Sequence, residues 1–270
     1  MNLTRHPVTS FDISLYSSFL GREVVLSVVL PPDDSDVQPS VRTCPVLLFN
    51  DGQDFGALKI KDILTEMYGA GSINPFLTIG IHAGQDRIYE YGTAAQPDYA
   101  GRGNKAGLTT SFILMELIPF LKDNFEIETE GITYAGFSLG GLMALDIAWN
   151  HPGIFSKVGV FSGSLWWRSR SLSEGYRDSD RIMHAQIRNL PFKPALKFWF
   201  QCGSRDEYDD RDCDGIIDSI QDTLECIAEL ERKGYAWNRD VFYHEIKNGE
   251  HNVQTWSSAL PRFLSWAFGR

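Results

Sequence analysis

"YAGFSLGGLMALDIAWNHP", Tyr134 to Pro152, sets one serine between glycines where two apolar runs meet. The run before it, "GITYAGF", reads as a strand. The run after it is helical: Leu142, Leu145, Ile147, Ala148 and Trp149 give it apolar faces, and His151-Pro152 stops it. A strand that turns sharply into a helix needs small residues where the backbone crosses itself. Gly136-Phe137-Ser138-Leu139-Gly140 supplies them, leaving the serine hydroxyl at the tip of the turn with a helix N-terminus behind it. G-x-S-x-G alone is a modest signal, since a packed loop serine can satisfy it. The strand before and the helix after make Ser138 the candidate nucleophile.

The flanking sequence repeats this alternation. "REVVLSVVLPP", "CPVLLFNDG", "FLTIGIHA", "KVGVFSGS", "KFWFQCGS" and "DVFYHEIKNG" read as strands, several as continuous apolar runs that suit a sheet buried on both faces. Between and after them, "TTSFILMELIPFLKDNF", "IDSIQDTLECIAELERKGY" and "VQTWSSALPRFLSWAF" carry apolar residues at helical spacing. Alternating strands and helices from Val46 onward predict an α/β fold, a mostly parallel central sheet with helices on both faces, as a single domain over residues 1–270. "DDSDVQPS" reads as a solvated loop. The segment from Gln85 to Gly107 is polar, Gly-rich and long for a connection, which suits a functional or mobile loop.

Composition narrows the function. The chain has 270 residues, 43% of them hydrophobic, enough for one sizeable core. A net charge of −10 argues against nucleic acid and against an electrostatic grip on anionic membranes. No apolar run approaches a membrane span, and "MNLTRHPVTSF" lacks the apolar stretch of a signal peptide, so a cytoplasmic protein is expected. Cys44, Cys202, Cys213 and Cys226 lack C-x-x-C spacing and are read as free thiols, with no zinc site and no cofactor.

In an open α/β sheet the chemistry lies beyond the carboxyl ends of the strands. A base for Ser138 must come from six histidines. His6 lies in the N-terminal tail, His151 at a helix end, His184 in a charged irregular segment and His244 inside a strand. His82 follows a strand and could line the site. His251, in "NGEHNVQTW", falls between the last strand and the last helix, the place for a base. "KFWFQCGSRDEYDD" ends a buried strand among carboxylates. Asp206 is the Asp nearest the strand end and the first choice of acid, with Asp209 and Asp210 as alternatives. Two backbone N–H groups are expected to hold an oxyanion: Leu139, after the nucleophile, and Gln53, in the loop after "VLLFNDG".

"VLLFNDGQDF", "GFSLGGLMALDIAWNHPGIFSKVGVFSGSLWW", "CGSRDE" and "GEHNVQTWSSALPRFLSWAF" together resemble the esterase D-like family of α/β-hydrolases, from about Val46 to the C-terminus. That family includes enterochelin, feruloyl and acetyl-xylan esterases, S-formylglutathione hydrolases and mycolyltransferases. "FSGSLWW" resembles the siderophore-esterase branch in particular. The resemblance implies a Ser138–His251–Asp206 triad with Leu139 and Gln53 as oxyanion donors. The first 40 residues carry no diagnostic motif and look short for the extra N-terminal domain of larger enterochelin esterases.

The expected partner is a small-molecule ester, of aromatic, siderophore or sugar-linked type. An acyltransferase or a non-catalytic binding protein on the same fold are the alternatives. Trp166 and Trp167 could stack on a ring or fill the core; if the chain is extended there, one faces the cleft and the other the core. Arg87 could contact substrate, but Arg87, Glu90 and Tyr91 read more readily as solvated surface. "DRDCDGIID", Asp210 to Asp218, matches the start of a calcium loop, with Gln221 at the twelfth position instead of the bidentate glutamate. An acidic helix start is the plainer reading.

Overall fold

The computed structural model describes residues 8–32, 44–125 and 127–270. His6 and the segment "DDSDVQPS" lie outside them. An eight-stranded sheet runs in the order β1-β2-β4-β3-β5-β6-β7-β8. β1 (Thr9–Ser17) and β2 (Arg22–Leu30) form a hairpin, and β2 runs antiparallel to β4 (Leu77–Ile81). From β4 onward every pairing is parallel, through β3 (Val46–Asn50), β5 (Ile132–Phe137), β6 (Phe155–Phe161), β7 (Lys197–Arg205) and β8 (Val241–Glu250). Every residue of β3, β4 and β5 is buried, as their unbroken apolar runs require.

Helices cover both faces. α1 (Ile60–Ala70) and α8 (Val253–Phe268) pack on one side, through Leu64, Leu260 and Phe263. The other side carries α3 (Ala106–Phe112), α4 (Ile118–Asn124), α5 (Leu139–Asn150), α6 (Ile182–Asn189) and α7 (Asp218–Arg232). α2 (Arg87–Glu90) is a single turn in the long loop. A π-helical segment, Ile113–Leu117, joins α3 to α4 just before Pro119. Proline lacks the N–H and crowds the carbonyl four residues back, and a widened turn accommodates both.

The expected architecture holds, with four labelled elements the pattern did not single out: β1, α1, the single-turn α2 and α6. β1 is an edge strand with most of its side chains exposed, so it lacks the burial signal. His184, expected in irregular chain, is buried within α6.

Register decides what meets at the carboxyl edge. Phe137 of β5 pairs with Phe161 of β6, so Ser138 and Ser162 leave the sheet side by side. Arg205 of β7 pairs with Glu250 of β8 after an irregularity, so Asp206 and His251 do the same. Two glycines permit that irregularity: a Cβ on Gly203 would lie 2.4 Å from the Gly249 carbonyl oxygen.

Candidate active site

Ser138 has φ 52° and ψ −121°, a conformation that a side-chain-bearing residue holds only under constraint. Its N–H donates to Phe161 O at 2.9 Å, and its carbonyl accepts from the N–H groups of Gly141, Leu142 and Ser164, each at 3.1 Å. The glycines are sterically required. A Cβ on Gly136 would meet the Gly140 carbonyl at 2.5 Å, and one on Gly140 would meet Asp51 Oδ2 at 2.8 Å. The Ser138 hydroxyl is partly exposed and lies 3.3 Å from Ser164 Oγ.

Asp206 is 8% exposed. Its Oδ2 accepts from Gly203 N–H at 3.0 Å, while Oδ1 is buried without a partner. Burial pushes its pKa above the ordinary carboxylate value; the Gly203 N–H, the Ser162 hydroxyl and the charge of His251 pull the other way. Burial lowers the pKa of His251, Asp206 opposes that, and the Arg87 guanidinium adds to it. The two side chains therefore act on each other electrostatically. Among the described residues no hydrogen bond joins His251 to Ser138 or Asp206; the His251 ring stands edge-on to Trp256, centroids 5.1 Å apart. Of the alternative acids, Asp209 is exposed, and both oxygens of Asp210 accept from backbone N–H groups of its own turn.

The other described histidines are engaged elsewhere. His82 Nε2 bonds Ser27 Oγ at 2.8 Å, His184 Nε2 bonds Asp222 O at 2.8 Å, and His244 Nδ1 meets Arg262 at 2.9 Å. His151 caps the end of α5.

Leu139 opens α5, so its N–H lies in a first helical turn, where intrahelical partners are lacking. Gln53 sits in a one-turn helix, Gly52–Asp54, after β3. Its side chain spans from Asp51 Oδ1 at 3.2 Å to Ala83 N–H at 3.0 Å. Asp51 is 2% exposed, in the left-handed region at φ 63°, and takes both arms of Arg87, at 2.6 and 2.7 Å.

The solvated reading of the segment around Arg87 is corrected. Glu90 and Tyr91 are buried; Glu90 pairs with Arg22 at 2.6 Å, and Arg87 lies 4.9 Å over the Tyr91 ring. Intrachain charge pairing converts a polar-looking stretch into packed structure. Trp167 is also corrected as a substrate contact: it is 0% exposed, and its ring lies where a Cβ on Gly92 or Gly103 would come within 2.8 or 2.7 Å of it. Trp166 is half-buried, 4.8 Å from the Arg102 guanidinium. Carboxylate oxygens of Asp210, Asp212 and Asp214 come within 4.8 Å of one another, and Gln221 donates to Asp212 at 2.7 Å. All four cysteines are free thiols.

Sequence reasoning missed Asp51, Ser162, Ser164 and Trp256. Each lies within five residues of a recognised position at a strand end, which is the signal that could have found them.

The chain matches the family described as "Putative esterase" over residues 17–267. It is 32% identical over 129 residues to the diacylglycerol acyltransferase/mycolyltransferase Ag85A of Mycobacterium leprae, covering 45% of this chain and 36% of that protein. It is 22% identical to an uncharacterized protein, YbbA, of Bacillus subtilis, over 84% of this chain and 86% of that one. In structure it resembles the enterobactin esterase FES of Shigella flexneri, with TM-score 0.75, 16% identity, and coverage of 98% of this chain and 60% of that chain. It also resembles the siderophore hydrolase EstB of Aspergillus nidulans, with TM-score 0.71, 17% identity, and coverage of 100% and 96%. The chain thus spans about a third of Ag85A and 60% of the enterobactin esterase, while it matches EstB nearly end to end. With the match running from the end of the first strand almost to the C-terminus, the chain belongs to the putative esterase family.

Proposed function

We propose that this protein hydrolyses carboxylic esters through an acyl-enzyme, with Ser138 as nucleophile, His251 as base and Asp206 as acid. The register that releases Asp206 beside His251, on the edge where the strained Ser138 also emerges, carries this reading. Asp206 Oδ1, buried and unpartnered, is a ready acceptor for the His251 ring N–H. Catalytic hydrogen bonds are often loose in a free enzyme and tighten around substrate, so His251 has to move from the edge of Trp256 toward Ser138 Oγ.

Ser138 Oγ attacks the ester carbonyl carbon as His251 takes its proton. The carbonyl oxygen becomes the oxyanion, held by the N–H groups of Leu139 and Gln53. Collapse expels the alcohol, which leaves with the proton from His251. Water then attacks the acyl-enzyme by the same route, releasing the acid and restoring Ser138. Desolvation lowers the His251 pKa, Asp206 opposes it and Arg87 adds to it, a net shift in the direction that favours the neutral imidazole a base requires.

The substrate is a small ester of aromatic, siderophore or sugar-linked type, with half-buried Trp166 as the flat apolar surface for it. Transfer to an alcohol instead of water is the second reading, favoured by the identity with the mycobacterial acyltransferase over 129 residues. The protein is read as one domain that works without a cofactor. Among the described residues no helix is long and apolar enough to cross a membrane.

Turnover of nitrophenyl esters tests the proposal. Ser138→Ala should lower it by roughly 10⁴-fold while leaving the melting temperature in place. Full activity in that variant, or labelling of a different serine by a fluorophosphonate, would sink the assignment. Product analysis with added alcohols separates transfer from hydrolysis.

A further inference from the structure

Beside the nucleophile the chain builds a row of alternating rings and guanidinium groups. The Arg102 guanidinium lies 4.8 Å from the Trp166 ring and 5.6 Å from Tyr99. Arg168 lies 5.4 Å from Tyr99 and 5.6 Å from Tyr176, and Arg211 follows at 5.9 Å from Tyr176. The row starts close to the reacting centre. Ser164, whose hydroxyl is 3.3 Å from that of Ser138, lies four residues before Arg168, at most about 14 Å of extended chain. A turn from Ser164 to Trp167 shortens that span further.

The three arginines are not equivalent. Arg102 is paired with Asp98 at 2.6 Å. Arg211 is paired with Asp222 at 2.7 Å and with Asp218 at 3.2 Å. Arg168, half-buried, has no carboxylate partner among the described residues. Its Nε is buried and unpartnered, and its one polar side-chain contact is a long 3.5 Å bond to Trp166 O. Nearby acids are committed: Asp180 accepts from Arg177 N–H at 2.8 Å and faces Arg170, and Asp222 is shared by Arg181 and Arg211. The Arg168 backbone is pinned, its carbonyl accepting from Tyr99 N–H at 3.0 Å. A partly desolvated guanidinium without a counter-charge is costly, and ring faces leave its N–H donors free. In a chain of net charge −10, this is a localised vacancy for negative charge.

We propose that Arg168 is a specificity-determining residue that takes up a carboxylate carried by the substrate, so that the preferred ester bears a free carboxylate besides the bond to be cleaved. A guanidinium presents a planar fork, and a carboxylate is the planar oxyanion that matches it with two N–H···O bonds. The inference rests on the ester-hydrolase reading. It does not depend on whether the carboxylate sits on the acyl or the alcohol part.

The test has two kinetic arms and one binding arm. Nitrophenyl half-esters of dicarboxylic acids of graded chain length are compared with their methyl diesters, which places the carboxylate on the acyl side. Butyrate esters of a nitrophenol with and without a ring carboxylate place it on the leaving side. In at least one arm kcat/KM should favour the anionic ester. Arg168→Gln should remove about tenfold of that preference and leave the neutral ester within about twofold; Arg168→Lys should retain part of it. An anionic preference that Arg168→Gln does not touch, no preference in either arm, or equal loss on neutral and anionic esters would overturn the assignment. Quenching of tryptophan fluorescence by glutarate and by benzoate, in wild type against Arg168→Gln, is read independently of turnover. Arg168-dependent binding without any hydrolysis would leave the carboxylate site standing and fell the esterase reading. Hydrolysis without Arg168-dependent preference or binding would do the reverse.

Discussion

Trp256 donates its indole N–H to Ser162 Oγ at 3.0 Å. The same indole stacks on Phe137, next to Ser138, with centroids 4.7 Å apart, and stands edge-on to His251. Accepting from Trp256 leaves the Ser162 proton free to point elsewhere, and the Ser162 hydroxyl draws the Asp206 pKa down. One tryptophan therefore touches the neighbour of the proposed nucleophile, the proposed base and the hydroxyl that serves the proposed acid.

Ser162→Ala should shift the pH dependence of kcat/KM. Without the hydroxyl, the Asp206 carboxylate is less stabilised and attracts protonated His251 more strongly. The His251 pKa then rises, and the acid limb moves to higher pH, by up to about one unit. Trp256→Phe, which keeps the stack on Phe137 and deletes the N–H, should move the limb the same way by less. A fall in kcat with an unmoved limb would mean that both residues serve packing alone.

Gly140→Ala should cost more activity than stability. Its Cβ would press on Asp51 Oδ2 at 2.8 Å and Asn50 Cβ at 2.9 Å, displacing the loop that carries Gln53. Overpacking of this kind destabilises by about 1–3 kcal/mol. Gly56→Ala, with nothing within 4 Å of the new Cβ, is the control. Ester turnover and thermal unfolding of both variants decide the matter, and full activity in Gly140→Ala would show that the loop yields.

The two adjacent tryptophans should separate cleanly. Trp167→Ala removes a fully buried ring and should destabilise by about 3–5 kcal/mol in denaturant unfolding. Trp166→Ala should instead raise KM for an aromatic ester about tenfold, with little change for an acetyl ester. Equal KM values for both esters in Trp166→Ala would remove its role in binding.

Asp146 should make stability depend on pH. It lies buried in α5, holding Ala94 N–H at 2.9 Å and Gln186 at 2.9 Å, and burial pushes its pKa up from 3.8 to about 6. The folded state holds this proton more tightly than the unfolded chain, so the contribution is full below pH 3.8 and is lost as pH rises to about 6. Asp146→Asn does not titrate. Its stability relative to wild type should improve by about 2 kcal/mol between pH 4 and pH 7, read from urea unfolding at those two pH values. A pH-independent difference would show that the carboxylate stays ionised in the fold.

The alternation of apolar strands with amphipathic helices is local information, and it determined the α/β class from Val46 onward, including the last helix over 253–268, seen as α8. The elbow at Ser138 was equally legible, because each glycine answers a steric demand within a few residues of itself. The order of strand ends also singled out Asp206 and His251 as candidates. What the sequence by itself left open was set by long-range pairing. The match of Arg205 with Glu250 brings Asp206 beside His251, and no periodicity within either strand encodes it. The same holds for polar residues with partners far along the chain. Glu90 is 68 positions from Arg22, and Arg87 is 36 from Asp51, so a stretch that reads as solvated surface becomes buried, charge-paired structure. Trp166 and Trp167 are alike in sequence, and the turn that follows Ser164 decides which of them enters the core. Burial of a charge or a ring is settled by what the fold brings against it, and only the tertiary structure holds that information.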